Sequence, residues 1–158
     1  MKYEDKEKSL YVSISQLVIS EIIKMCQKAS PDETGGILIG NYSANLKGAY
    51  ITQATKQTDD SFAGRFWFKR GTKGLKKLLI NYWSEDKYYL GEWHFHPGNS
   101  PSPSRADIDQ MNVISTNRKF NCPEPILLIV GQINTKFVVS VQIFIEDKMI
   151  TLIHADDE

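Results

Sequence analysis

The residues best suited to chemistry lie in one stretch, Gly91-Glu-Trp-His-Phe-His-Pro-Gly-Asn-Ser-Pro-Ser-Pro-Ser-Arg-Ala-Asp107, which holds two of the three histidines of the chain. The aromatic run 88–95 reads as a strand, and side chains two apart on a strand share a face. His94 and His96 therefore project together, with Phe95 turned away. Two imidazoles on one face can share a metal ion. Pro97 cannot donate to a sheet ladder and ends the strand, and residues 98–103 are loop by composition. Ser104-x-x-Asp107, ahead of the apolar Ile108, Met111 and Ile114, reads as a capping box with Asp in the place of Glu. Asp107 then occupies the first helical turn and faces back toward the strand end. Such an N,N,O donor set suits zinc and leaves a fourth position for water, as catalytic sites do.

Each of these residues also has a plainer use. Strand histidines often only satisfy a buried hydrogen bond. An acid at the third helical position complements the helix dipole, worth about 0.3–1 kcal/mol, and Ser104 on its own is an N-cap. Asp109 competes with Asp107, but two residues along a helix turn a side chain by about 200°, so only one can face the metal. For a general base the residues leave two candidates. Glu92 shares the ligand face, yet its Cα would lie some 13 Å from that of His96. Glu33 precedes the glycine-rich strand Gly35-Gly-Ile-Leu-Ile-Gly40 and depends on the fold to bring it in.

His94-x-His96-Pro97, six residues, Ser104, two residues and Asp107, with Glu33-Thr-Gly-Gly upstream, resembles the motif of the JAB/MPN metalloproteases, the JAMM family. The likeness spans roughly residues 10–150 and matches five positions in two separated blocks. It implies zinc on His94, His96 and Asp107, with Asp107 rather than Asp109 as the third ligand. It implies Glu33 as general base and Ser104 as a donor to the oxyanion, with Glu92 left as a supporting or strand-edge carboxylate. The implied activity is hydrolysis of a peptide or isopeptide bond with no covalent enzyme intermediate. The run 89–97 is similar to JAB peptidases of bacterial ubiquitin-like conjugation systems, including those of CBASS anti-phage operons. The implied substrate is a protein joined through an extended C-terminal tail, a ubiquitin-like or nucleotidyltransferase conjugate, with activating-like and conjugating-like proteins as further partners. Phe95 departs from the small hydroxyl residue more usual in the family. Two other readings stay open: trimming of a ubiquitin-like sulfur carrier, and a non-catalytic MPN scaffold. The scaffold members usually lack some of the His, His, Asp or Glu positions, all of which are present here. A nucleobase deaminase would need a Cys-x-x-Cys ligand pair, which is absent.

The chain of 158 residues suits one domain, residues 10–158, behind a loose charged leader at residues 1–9. Basic and acidic residues balance at 19 each, so nothing marks a nucleic-acid or membrane surface. Cys26 and Cys122 have no paired spacing and read as reduced thiols of a cytoplasmic protein. No secretory leader opens the sequence and no apolar run is long enough to span a bilayer.

The supporting elements follow from periodicity. Leu10, Val12 and Ile14 alternate as a strand, and Ser15 caps a helix with Leu17, Val18, Ile22, Met25 and Cys26 on one face. Residues 37–40 are apolar on both faces, as in a central strand. Residues 49–56 alternate, 57–61 form a polar loop, and 65–69 form a short aromatic strand. Residues 72–83 form an amphipathic helix. After the metal block come a buried strand at 125–130 and a terminal hairpin over 137–153. His154 reads as a surface residue, and Trp67 and Trp93 as core or groove wall. Strands alternating with helices predict an α/β fold, a three-layer α/β/α sandwich with a mixed central sheet, as the resemblance also implies (cytidine-deaminase-like). A substrate tail is expected to pair with a sheet edge beside residues 65–69 and the loop 57–61.

Overall fold

A computed structural model describes residues 1–155. In chain order they form β1 (Lys2–Glu4), β2 (Tyr11–Ile14), α1 (Gln16–Ala29), β3 (Thr34–Tyr42), β4 (Gly48–Ala54), β5 (Phe62–Gly64), β6 (Trp67–Lys69), α2 (Leu75–Trp83), β7 (Tyr88–His96), α3 (Arg105–Thr116), a 3₁₀ turn (Arg118–Phe120), β8 (Ile126–Ile133), β9 (Lys136–Ile145) and β10 (Lys148–His154). The main sheet runs β1-β10-β9-β8-β7-β3-β4-β2 and closes, because β1 pairs with both β10 and β2. It is mixed, since β2 runs parallel to β4 and β7 parallel to β8 while the other pairs are antiparallel. β5 and β6 form a separate two-stranded hairpin.

The α/β class and the mixed sheet agree with the sequence reading; the closure is what differs from an open sandwich. It comes from the stretch expected to be a loose leader. Tyr3 is 4% exposed within the main apolar cluster, and burying one such aromatic gives roughly 1.5–3 kcal/mol toward fixing a three-residue strand.

β3 and β7 pair with each other within the closed sheet, and their side chains divide between its faces. Trp93 and Phe95 of β7 join Leu128 and Val130 of β8 and the buried stripe of α1 in one cluster. On the other face Met111 and Ile114 of α3 pack with Leu127 and Ile129, and Leu75 of α2 packs with Ile37 and Ile39. His94 and His96 belong to that second face, the one that receives α3.

Several local expectations need correction. The buried stripe of α1 is Val18, Ile19, Ile22 and Cys26, while Leu17 is 77% exposed; a stripe at i, i+4, i+8 leaves a residue 100° away at its margin. α2 begins at Leu75 rather than at 72, because the Asp60 carboxylate accepts the N–H groups of Thr72 and Lys73, both at 3.0 Å, and holds them outside the helix. The aromatic strand 65–69 is half of the β5–β6 hairpin, with Arg65 and Phe66 at its turn. His154 is half-buried, and its ring packs edge-on against Tyr3 at 5.1 Å.

Candidate metal centre

Three elements converge on one end of β7. The strand delivers His94 and His96 to one face, and the loop 97–103 turns the chain back toward α3. That loop is pinned from below. Asn99 accepts the Gln132 N–H at 2.9 Å, the Ser140 hydroxyl donates to the Pro101 carbonyl, and Gln142 Nε2 donates to Ser140 Oγ at 3.0 Å. Ser104 then caps α3 reciprocally. Its hydroxyl accepts from Asp107 N–H at 3.1 Å, and Asp107 Oδ2 accepts from Ser104 N–H at 2.7 Å and from Ser104 Oγ at 2.7 Å. The predicted capping box is therefore present, and it aims the Asp107 carboxylate at the histidines.

His94 Nδ1 donates to Asp107 Oδ1 at 2.6 Å, and His96 Nε2 lies 3.4 Å from Asp107 Oδ2. One ligand atom from each of the three residues lies within 4.8 Å of the others, and all three side chains are buried. His94 Nε2 is buried with no hydrogen-bond partner. A buried polar atom without a partner costs about 1–3 kcal/mol. A shared cation would relieve that cost, so this donor set fits a metal. Burial acts to raise the Asp107 carboxyl pKa, but the hydrogen bonds from His94, His96 and Ser104 overcome it and hold the group well below the usual carboxylate range. It is thus an anion, as a ligand must be. Burial acts to lower His96, whereas Asp107 and then Glu33 raise it, with a net upward shift.

Glu33 reaches this site through strand register. Antiparallel pairing sets Thr34 opposite Phe95 and Gly35 opposite His94, so Glu33 continues to the level of His96. Gly35 is required here, since a Cβ would clash with the Trp93 carbonyl and lie 2.8 Å from His94 Cδ2. The Glu33 N–H donates to the Gly64 carbonyl at 2.9 Å, tying it to β5. Its side chain is half-buried, and burial, opposed by His96, raises its pKa. Glu33, His96, Ser104 and Asp107 line one cavity of about 360 Å³, with Phe66, Trp67 and Phe68 of the hairpin as a wall. Phe68 also packs edge-on against His94 at 5.4 Å.

The rival base, Glu92, has no exposed surface and lies outside that cavity. Arg70 Nε donates to Glu92 Oε2 at 2.6 Å, Arg70 Nη2 donates to Oε1 at 2.8 Å, and the Tyr89 hydroxyl donates to Oε1 at 2.8 Å. Three hydrogen bonds, two of them from a guanidinium, therefore hold this carboxylate as a buried partner of Arg70, away from the cavity where a water would be attacked. The sequence reading overlooked Arg70 and Tyr89 as its partners. The signal was a carboxylate on a strand otherwise buried on both faces, which requires a cation nearby. The loop 57–61 does not line the cavity as expected. It supports the hairpin base instead, with Ser61 Oγ accepting Gly71 N–H at 2.9 Å and Asp60 receiving the start of α2.

Residues 15–143 match the family model described as prokaryotic homologs of the JAB domain. A protein named CD-NTase/cGAS isopeptidase from Enterobacter hormaechei subsp. hoffmannii is 47% identical over 126 residues, 79% of this chain and 70% of its own. A protein of the same name from Pseudomonas aeruginosa is 32% identical over 103 residues, 63% of each chain. The solution structure of a Desulfitobacterium hafniense protein superposes with a TM-score of 0.67 at 16% identity, over 89% of this chain and 88% of that one, a likeness of fold.

Proposed function

This chain belongs to the family of prokaryotic homologs of the JAB domain, and from that membership we propose that it is a zinc-dependent isopeptidase that frees a CD-NTase-like protein from its conjugates in a bacterial defence system. The observation that supports this most is the buried His94–His96–Asp107 cluster with its unpartnered His94 Nε2, opening on a cavity that Glu33 shares. The names of the relatives support the isopeptidase class and the CD-NTase as the conjugated protein.

His94, His96 and Asp107 would hold the zinc, which supplies a Lewis acid for the scissile carbonyl and makes water acidic near neutral pH. Glu33 takes the proton of the attacking water and returns it to the leaving amine. Its anchorage on Gly64 holds its backbone in place while the carboxylate works. Ser104, which lines the cavity, would donate its hydroxyl to the developing oxyanion in place of its bond to Asp107. Phe66, Trp67 and Phe68 shield one side of the cavity from water. With the main sheet closed, the strand edges left open near the site among the described residues are those of the β5–β6 hairpin, and an extended tail would gain backbone hydrogen bonds by lying along one of them. Among the described residues no helix is long and apolar enough to cross a membrane.

The test is release of a CD-NTase-like protein from a lysine-linked conjugate by the purified chain. Cleavage that a chelator stops and zinc restores is the expected result. An intact conjugate at saturating zinc would remove the enzymatic reading and leave a binding scaffold. Prolines placed just before the scissile bond remove backbone donors and are expected to block cleavage.

A further inference from the structure

The β5–β6 hairpin presents an anomaly of stability. Its two strands of three residues pair only with each other among the described residues. Phe62, Phe66 and Trp67 are 66%, 74% and 54% exposed. An isolated two-stranded hairpin is marginal in water even with better burial. Yet this one supplies the aromatic wall of the cavity and the carbonyl that fixes Glu33.

Beside the edge-on contact of Phe68 with His94 and the bond from Glu33 N–H to Gly64, its strongest anchorage is polar and lies at its base. Arg70 directly follows β6, and its guanidinium enters the protein, 12% exposed, to grip Glu92 with two parallel bonds. A third bond, from Nη1 to the Gly71 carbonyl at 2.7 Å, fixes the fork to its own backbone. Planar bidentate pairing of this kind fixes orientation as well as distance. Glu92 stands on β7 two residues before His94, so Arg70 grips the strand that carries the ligands. A bulge in β7 completes the socket. Leu38 pairs with Gly91 but Ile39 with Tyr89, which leaves Leu90 as the extra residue. Tyr89 and Glu92, three apart, therefore reach one face and bond to each other. Gly91 permits the bulge at φ 151°, where a Cβ would run into the Ile126 carbonyl.

We propose that Arg70 is a positioning residue, which clamps the substrate-facing hairpin to the metal-bearing strand through Glu92 and Tyr89 and so sets the distance between the aromatic wall and the reacting bond. This rests on the isopeptidase reading for its catalytic consequence, though not for the clamp itself. Truncating Arg70 alone would strand a buried carboxylate and could unfold the chain. The informative variant is Arg70→Met/Tyr89→Phe/Glu92→Leu, which removes the three polar groups together and which apolar packing tolerates. In it, zinc content should equal that of the wild type. Hydrogen exchange of amides 62–69 should quicken by roughly tenfold or more relative to the rest of the sheet. With a cleavable conjugate, kcat/KM should fall by roughly tenfold or more, through KM because the hairpin binds the tail and through kcat because its Gly64 carbonyl holds Glu33. Arg70→Lys, which keeps the charge but loses the fork, should fall between. Unchanged exchange at 62–69 overturns the clamp, and faster exchange with unchanged kcat/KM overturns its role in positioning. If the wild-type chain cleaves no conjugate, the isopeptidase reading fails, and the exchange measurement still decides the clamp.

Discussion

Around Asp107, each polar partner is held from two sides. Ser104 bonds to it with both backbone and hydroxyl, His94 donates from the strand, and the loop between them is tied down to β8 and β9. Across the cavity the β5–β6 hairpin has exposed aromatics, no neighbouring strand beyond its own pair among the described residues, and an anchor at its base in Arg70. The two regions teach a division of labour. Metal ligation needs donors fixed to a fraction of an ångström, so it is built on a strand end and a capped helix. On the proposed reading, a wall that admits and releases a substrate tail is built from an element with little burial, which opens at low cost.

Experiments on each region sharpen the contrast. The largest effect belongs to the cradle. His96→Ala is expected to lose zinc and all chelator-sensitive hydrolysis while the sheet remains folded; full zinc occupancy in purified His96→Ala would sink the ligand assignment. Glu33→Gln comes next. It should retain zinc and fold but lose about 10²–10⁴ in kcat, the usual worth of a positioned acid–base group. A fully active Glu33→Gln enzyme would show that the proton travels by another route. Ser104→Ala probes a residue with two duties. Losing the cap should cost about 1 kcal/mol in a denaturant titration, and losing an oxyanion donor should lower kcat by about 10²–10³. Destabilisation with kcat unchanged would leave Ser104 as a cap alone.

On the hairpin the expected effects are smaller and of another kind. Trp67→Ala should raise KM by roughly tenfold, about 1.4 kcal/mol, with kcat and zinc content unchanged, because it removes a contact and no catalytic group. A drop in kcat instead would mean that the wall takes part in chemistry. The smallest effect, none, is expected from thiol alkylation at pH 7–8. Cys26 and Cys122 are free and buried, and burial pushes their thiols up to about 12 and about 11. A raised thiol pKa keeps the neutral form, and the reactive thiolate gains ground only as the pH climbs toward those values. Inhibition by iodoacetamide in the folded state would contradict this.

Much of the cradle was legible in the amino-acid sequence because its geometry is local. Alternation two apart put His94 and His96 on one face, and the Ser104-x-x-Asp107 spacing set the cap, so period and capping chemistry were enough to bring the three side chains together. The burial of β3 on both faces and the face on which Phe95 lies followed from the same periods. The resemblance to JAMM proteins then named Glu33, a choice the residues left open.

What only the tertiary structure decided was non-local. The register of β3 against β7 carries Glu33 to the level of His96, and no pattern inside either segment encodes that pairing. Glu92 has the same chemistry as Glu33 and a better position in the sequence. Its fate was set by Arg70 and Tyr89, which hold its carboxylate with three hydrogen bonds from another element and from across a bulge. The closure of the sheet through β1 likewise depended on Tyr3 finding a core assembled by distant strands. A side chain's period fixes which way it points, while its partners, and hence its charge and its availability for chemistry, are fixed by what the fold brings to meet it.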